Sequence, residues 1–119
     1  MEIEIKQFHC SDSKDLETFS VPTEDIFFPI EMAIGPVGDE RADIYSFMLV
    51  SKEALRKRAI SPARDARRKY LFVRSYDWRT TRNTLENIVR GFAGESWEEM
   101  VRYLTRYFYW EYEGISKFY

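Results

Sequence analysis

Ile26-Phe27-Phe28-Pro29-Ile30-Glu31-Met32-Ala33-Ile34 is the stretch on which the fold turns. Ile26, Phe28, Ile30, Met32 and Ile34 recur at a period of two, so an extended chain puts all five on one side, with Phe27, Pro29, Glu31 and Ala33 on the other. A helix would scatter the same residues around its axis. The stretch therefore reads as a strand with one wholly apolar face. Pro29 has no amide donor, so it must lie at an edge, at a bulge, or at a ladder position facing away from its neighbour.

Working outward, Gly35-Pro36-Val37-Gly38-Asp39-Glu40 reads as a turn, and Ile44–Val50, with Tyr45, Phe47 and Leu49, as a returning strand. The pair predicts a hairpin. Upstream, Ile3 and Ile5 alternate with Glu2, Glu4 and Lys6, which predicts a half-wet edge strand over Glu2–Phe8. Downstream, Ser51 precedes a short helix over Lys52–Arg58, with Glu53 early and basic residues late, as the helix dipole favours. Ser61-Pro62 ends it, and Tyr70–Arg74 reads as a fourth strand that leaves through Tyr76-Asp77-Trp78 into a loop.

The period then changes. Leu85, Ile88, Val89 and Phe92 fall on one helical face within Thr81–Phe92, with Gly91 and Gly94 as the stop. Ser96-Trp97-Glu98-Glu99 is a capping box that opens a second helix lined by Trp97, Val101, Leu104 and Phe108. Residues 107–119 suit either continued helix or a final strand, and we place a strand from about Trp110. The expected fold is α+β: one domain over residues 1–119, a mostly antiparallel sheet, and two C-terminal amphipathic helices packed on one face. The other face is left partly open.

The chain has 119 residues, of which 45% are hydrophobic and 32% charged, enough apolar material for one core. Charge-free stretches stay under about 15 residues, short of the roughly 20 needed to span a bilayer. The N-terminus lacks the layout of a secretory signal, and the single cysteine, Cys10, suits a reducing compartment, so a cytoplasmic protein is expected.

Little here assembles into catalytic chemistry. His9 and Cys10 are adjacent, and neighbours on a strand point to opposite faces, which defeats a nucleophile and base pair. One histidine and one cysteine are too few for structural zinc, and no metal or cofactor is expected. The loop Gly35–Gly38 joins two strands, whereas phosphate loops lead into a helix. The acids Glu24, Asp25, Asp39, Glu40 and Asp43 gather around the two ends of the hairpin as solvated loop carboxylates.

A net charge of −2 conceals segregation: residues 1–50 carry −8, residues 51–90 carry +8, and residues 91–119 carry −2. Either the halves attract each other or one face awaits a charged partner. The basic segment 56–69, with Tyr70, Tyr76 or Trp78 to stack on bases, leaves a nucleic-acid-binding alternative, which the acidic remainder opposes. A self-associating structural subunit, such as a homodimer through the open face or the Glu2–Phe8 edge, is a third class. Nine of the twenty aromatic residues lie in Trp97–Tyr119, more than one helix face can bury, and exposed tyrosine and tryptophan are frequent interface anchors.

The order of these pieces resembles the Imm8 family of bacterial immunity proteins, which are encoded beside polymorphic toxins. The likeness is carried by Ile34-Gly35-Pro36-Val37-Gly38-Asp39-Glu40, Asp43-Ile44-Tyr45-Ser46-Phe47, Leu49-Val50-Ser51 with Leu55, Tyr70-Leu71-Phe72-Val73, Tyr76-Asp77, Ser96-Trp97-Glu98-Glu99 and Trp110-Glu111-Tyr112-Glu113. The basic insert Ala59–Arg68 and the tail Gly114–Tyr119 depart from it. The resemblance implies a non-enzymatic antidote that stays in the producing cell and binds a cognate protein toxin. The acidic first half then suggests that Glu24, Asp25, Asp39, Glu40 and Asp43 meet a basic toxin surface, with Tyr45, Tyr76 and Trp78 as anchors.

Overall fold

The computed structural model describes residues 1–10, 15–65 and 68–113. Arg67 of the basic segment and the tail 114–119 lie outside the described residues. The elements run β1 (Ile3–His9), β2 (Phe27–Pro36), β3 (Asp43–Val50), α1 (Lys52–Arg58), β4 (Tyr70–Phe72), α2 (Trp78–Arg90), α3 (Trp97–Leu104) and β5 (Tyr109–Trp110). The sheet has the order β1-β2-β3-β4, with β5 also on β3. β1, β2, β3 and β5 pair antiparallel, and β4 lies parallel to β3. An α+β fold of mostly antiparallel strands is what the patterning predicts.

The hairpin β2–β3 is its axis. Ile26, Phe28, Ile30, Met32 and Ile34 are all buried, and register sets Phe28 against Leu49, Ile30 against Phe47 and Met32 against Tyr45. Burying each such side chain is worth about 1.5–3 kcal/mol, so this face dominates the core. Leu85 and Val89 of α2, Met100 and Leu104 of α3, and Phe108 close over it.

Pro29 sits opposite Met48. Met48 N–H donates at 2.8 Å to the Lys69 carbonyl on the far side, so the Pro29–Met48 position makes no ladder bond that proline could break. β1 forms the expected edge with one refinement. A bulge between Ile5 and Gln7 shifts the parity, so that Ile3 and Ile5 before it and Phe8 and Cys10 after it reach the core.

Three boundaries differ from expectation. α2 begins at Trp78, three residues early, because Asp77 serves as its cap, its carboxylate accepting from Thr80 N–H at 3.3 Å. Trp78 is therefore a buried helical residue, edge-on to Phe8 at 5.0 Å, and not part of a loop. Strand β4 stops at Phe72. α3 ends at Leu104, before Phe108, and its buried residues are Met100 and Leu104, while Trp97 and Val101 are half-buried. The capping box forms: Ser96 Oγ accepts from Glu99 N–H at 3.1 Å, and Glu99 reaches back to Ser96 Oγ and Glu95 N–H.

α1 covers only one end of the opposite sheet face, where Leu55 meets Met48 and Val50, flanked by Phe27, Ile60 and Tyr70. Ser51 caps it, accepting from Ala54 N–H at 3.0 Å and donating to the Thr23 carbonyl at 2.5 Å. The rest of that face, including Ala33, Ile44 and Ser46, is unroofed.

Candidate functional site

At the tip of the hairpin, Gly38 takes a left-handed conformation with φ of 79° and turns the chain into Asp39. The Asp39 carboxylate accepts from Arg41 N–H at 2.9 Å and from the guanidinium Nη2 at 2.7 Å. These bonds from Arg41 hold the carboxyl down to about 2. Arg41 lies over the Trp97 ring at 5.2 Å. The Lys6 ammonium donates to the carbonyls of Pro36 and Asp39 and ties the tip to β1.

Asp43, at the start of β3, accepts on one oxygen from both Trp97 Nε1 at 2.9 Å and Trp110 Nε1 at 3.0 Å. Glu111 pairs with Ile44 through two contacts, its carboxylate accepting from Ile44 N–H at 2.7 Å and its own N–H donating to the Ile44 carbonyl at 3.0 Å. The N-terminal amine donates to the Gly94 carbonyl at 2.9 Å and stands 3.6 Å from Glu95. Val37 N–H bonds the Glu2 carbonyl. Four separate parts of the chain thus bring Glu2 and Glu4, Asp39, Glu40 and Asp43, Glu95, Glu98 and Glu99, and Glu111 to one end of the molecule. Lys6, Arg41 and the N-terminal amine are the cations woven among them.

The eight residues singled out from sequence do not form one site. Asp39, Glu40, Asp43 and Tyr45 share the hairpin tip. Glu24 and Asp25 lie at the other end of β2, roughly 30 Å away by strand rise. There Asp25 pairs with Lys57 at 2.9 Å, which lowers its pKa, and Arg58 donates to the Glu24 and Ala54 carbonyls while lying 4.8 Å from the Phe27 ring centre. Opposite charges from the two halves of the chain do meet here.

Tyr45 and Trp78 must be corrected as anchors: Tyr45 is wholly buried, Trp78 nearly so, and neither offers a ring to a partner. The Tyr45 hydroxyl has no hydrogen-bond partner among the described residues, and burial pushes its phenol far above the usual range. Tyr76 is half-buried, packed against Phe19 and Phe28, and its hydroxyl donates to the Leu16 carbonyl at 2.5 Å. Burial raises its pKa to about 12. His9 is exposed while Cys10 is buried, so the two face apart. No cluster of potential metal ligands occurs among the described residues.

A feature the sequence reading missed lies on the unroofed sheet face. Phe27, Pro29, Ser46, Met48 and Tyr109 line a shallow groove of about 360 Å³ with Arg68 and Lys69 on its rim. Its floor is the second face of the same period-two pattern, Phe27 and Pro29 on β2 against Ser46 and Met48 on β3. Only the parallel docking of β4 brings the rim cations to it.

Compared with known families, residues 3–114 match the model described as Immunity protein 8, Imm8. No curated protein and no solved structure gives a match.

Proposed function

The chain belongs to the Imm8 family of immunity proteins, and from that premise we propose that it binds one cognate polymorphic toxin in the bacterial cytoplasm and neutralises it without chemistry of its own. The observation that carries this is the reach of the family match, which takes in every strand and helix of the fold. Two features of the surface support it. One end gathers carboxylates from four parts of the chain, suited to a basic region of a toxin, and a sheet face is left without a helix over it.

Within this proposal Asp39 and Glu40 provide the acidic contact together with Glu98 and Glu2, which are exposed on the same end. Asp43 has the additional task of holding two tryptophans. Glu24 and Asp25 belong to the α1 end, where the Asp25 carboxylate pairs with Lys57 and the Glu24 carbonyl accepts from Arg58.

The test is co-expression with the toxin encoded immediately upstream. Restored growth and a complex that survives purification are the expected outcome. Growth arrest with no co-purification would reject the antidote role. The nucleic-acid alternative is weakened by the engagement of Lys57 and Arg58 with Asp25, Glu24 and Phe27.

A further inference from the structure

We infer that the groove on the open sheet face receives an acidic segment of the protein partner, a carboxylate meeting Lys69 and Arg68 while an adjoining apolar side chain lies between Pro29 and Tyr109. This rests on the toxin-binding proposal and deepens it by naming a surface and the chemistry it takes.

The groove is held open by the sheet itself. Its floor spans β2 and β3 at the Pro29–Met48 pair, Tyr109 is locked by its register with Ser46, and the Lys69 carbonyl accepts from Met48 N–H at 2.8 Å. Backbone pairing therefore positions both walls before any partner arrives, which reduces the ordering cost of binding. Its volume of about 360 Å³ lies near the low end of the roughly 300–1,000 Å³ range of binding clefts. That size suits one or two side chains and excludes a large ligand.

Charge selects the occupant. Lys69 has no carboxylate within ion-pairing distance among the described residues, and Arg68 Nε stands 3.8 Å from Asp65, which also accepts from the Tyr70 hydroxyl at 2.9 Å. Glu31 is exposed on the same face, beyond the groove lining. A carboxylate set beside these cations over an apolar floor gains a charge-assisted hydrogen bond away from bulk water. A nucleic acid needs a longer cationic track, and the track is interrupted because Lys57 and Arg58 are engaged at the α1 end. The carboxylates at the hairpin tip further oppose a polyanion. A protein partner offering a basic patch to that tip and an acidic segment to the groove would be oriented by the two opposite signs.

The test uses the full chain with the upstream toxin domain as probe, with affinity read by calorimetry at moderate salt. The double variant Arg68→Glu, Lys69→Glu and the single variant Ser46→Glu, which projects a carboxylate into the groove, should each weaken binding by about 30-fold or more. Lys69→Arg should bind within about threefold of wild type. Unfolding midpoints verify that each variant is folded. Wild-type binding with all variants within about threefold of it overturns the groove and leaves the antidote role standing. No wild-type binding overturns both. A single-stranded oligonucleotide bound by wild type and lost in the double variant, with toxin affinity unchanged, would make the groove a nucleic-acid site and also overturn the inference.

Discussion

The indole N–H of Trp97 donates to the Asp43 carboxylate across 2.9 Å, joining the first residue of α3 to the first residue of β3. Trp110 of β5 donates to the same oxygen at 3.0 Å, so one carboxylate ties together three elements far apart in sequence. Asp43→Ala strips both half-buried indoles of their acceptor and should cost about 2–4 kcal/mol in urea unfolding. Asp43→Asn keeps an acceptor and should cost less. An unchanged urea midpoint for Asp43→Ala would show that the indoles are satisfied without it.

Gly35 answers a different demand at the same end. A Cβ at this position would sit 2.2 Å from the Arg41 carbonyl oxygen, which belongs to the backbone of the hairpin's return and has little room to yield. Gly35→Ala should lower stability by about 2 kcal/mol or more, the range for forced overpacking against a rigid neighbour. Thermal unfolding measures it, and a melting temperature equal to wild type would mean that the hairpin widens freely.

The apolar face of β2 was legible because a period of two leaves no other economical burial for Ile26, Phe28, Ile30, Met32 and Ile34. The α3 start was legible for a local reason too: Ser96 and Glu99, three residues apart, accept from the backbone N–H groups of Glu99 and Glu95. The bulge in β1 was hidden, since it is a property of pairing with β2 and leaves only a parity change between Ile5 and Phe8. Residue type alone favours Tyr45 and Trp78 as anchors. Yet Tyr45 shares the parity of Phe47 and Leu49, and Asp77 is a suitable helix cap before Trp78, so both burials had local signals. At the acidic end only Asp39, Glu40 and Asp43 were legible, as close neighbours in the turn of the hairpin. Glu2, Glu40, Glu98 and Glu111 become neighbours only through the folding of β1, the hairpin, α3 and β5 together.

Acid titration should single out the hairpin tip. The Arg41 hydrogen bonds hold Asp39 at about 2, below the unfolded aspartate value of about 3.8. A carboxyl depressed in the folded state contributes stability above its unfolded pKa and loses it as pH falls through the folded one. The stability difference between wild type and Asp39→Asn should therefore be constant from neutral pH to about 4 and shrink between about 4 and 2. Asp25, lowered by its hydrogen bond with Lys57, should lose its contribution below the same upper limit. Urea unfolding at stepped pH reads both, and a difference already gone at pH 5 would contradict the Arg41 clasp.

Reversing charge at the acidic end should slow the encounter with a basic toxin more than it speeds release. Glu40→Lys and Glu98→Lys together change exposed side chains for which no hydrogen bond or ion pair is seen among the described residues, so the fold should tolerate them. Stopped-flow association should fall by about tenfold at low salt, with the gap to wild type closing as ionic strength rises and the Debye length contracts. Glu24→Lys, at the α1 end, should leave the rate within about twofold, because its charge is remote from the tip. Tyr45→Phe should leave both rates unaltered, since the hydroxyl it removes is buried and unpaired among the described residues. Should Glu24→Lys slow association as much as the tip variants do, the contact would have to extend the length of the hairpin, and the split of the acidic residues into a binding end and a folding end would fail.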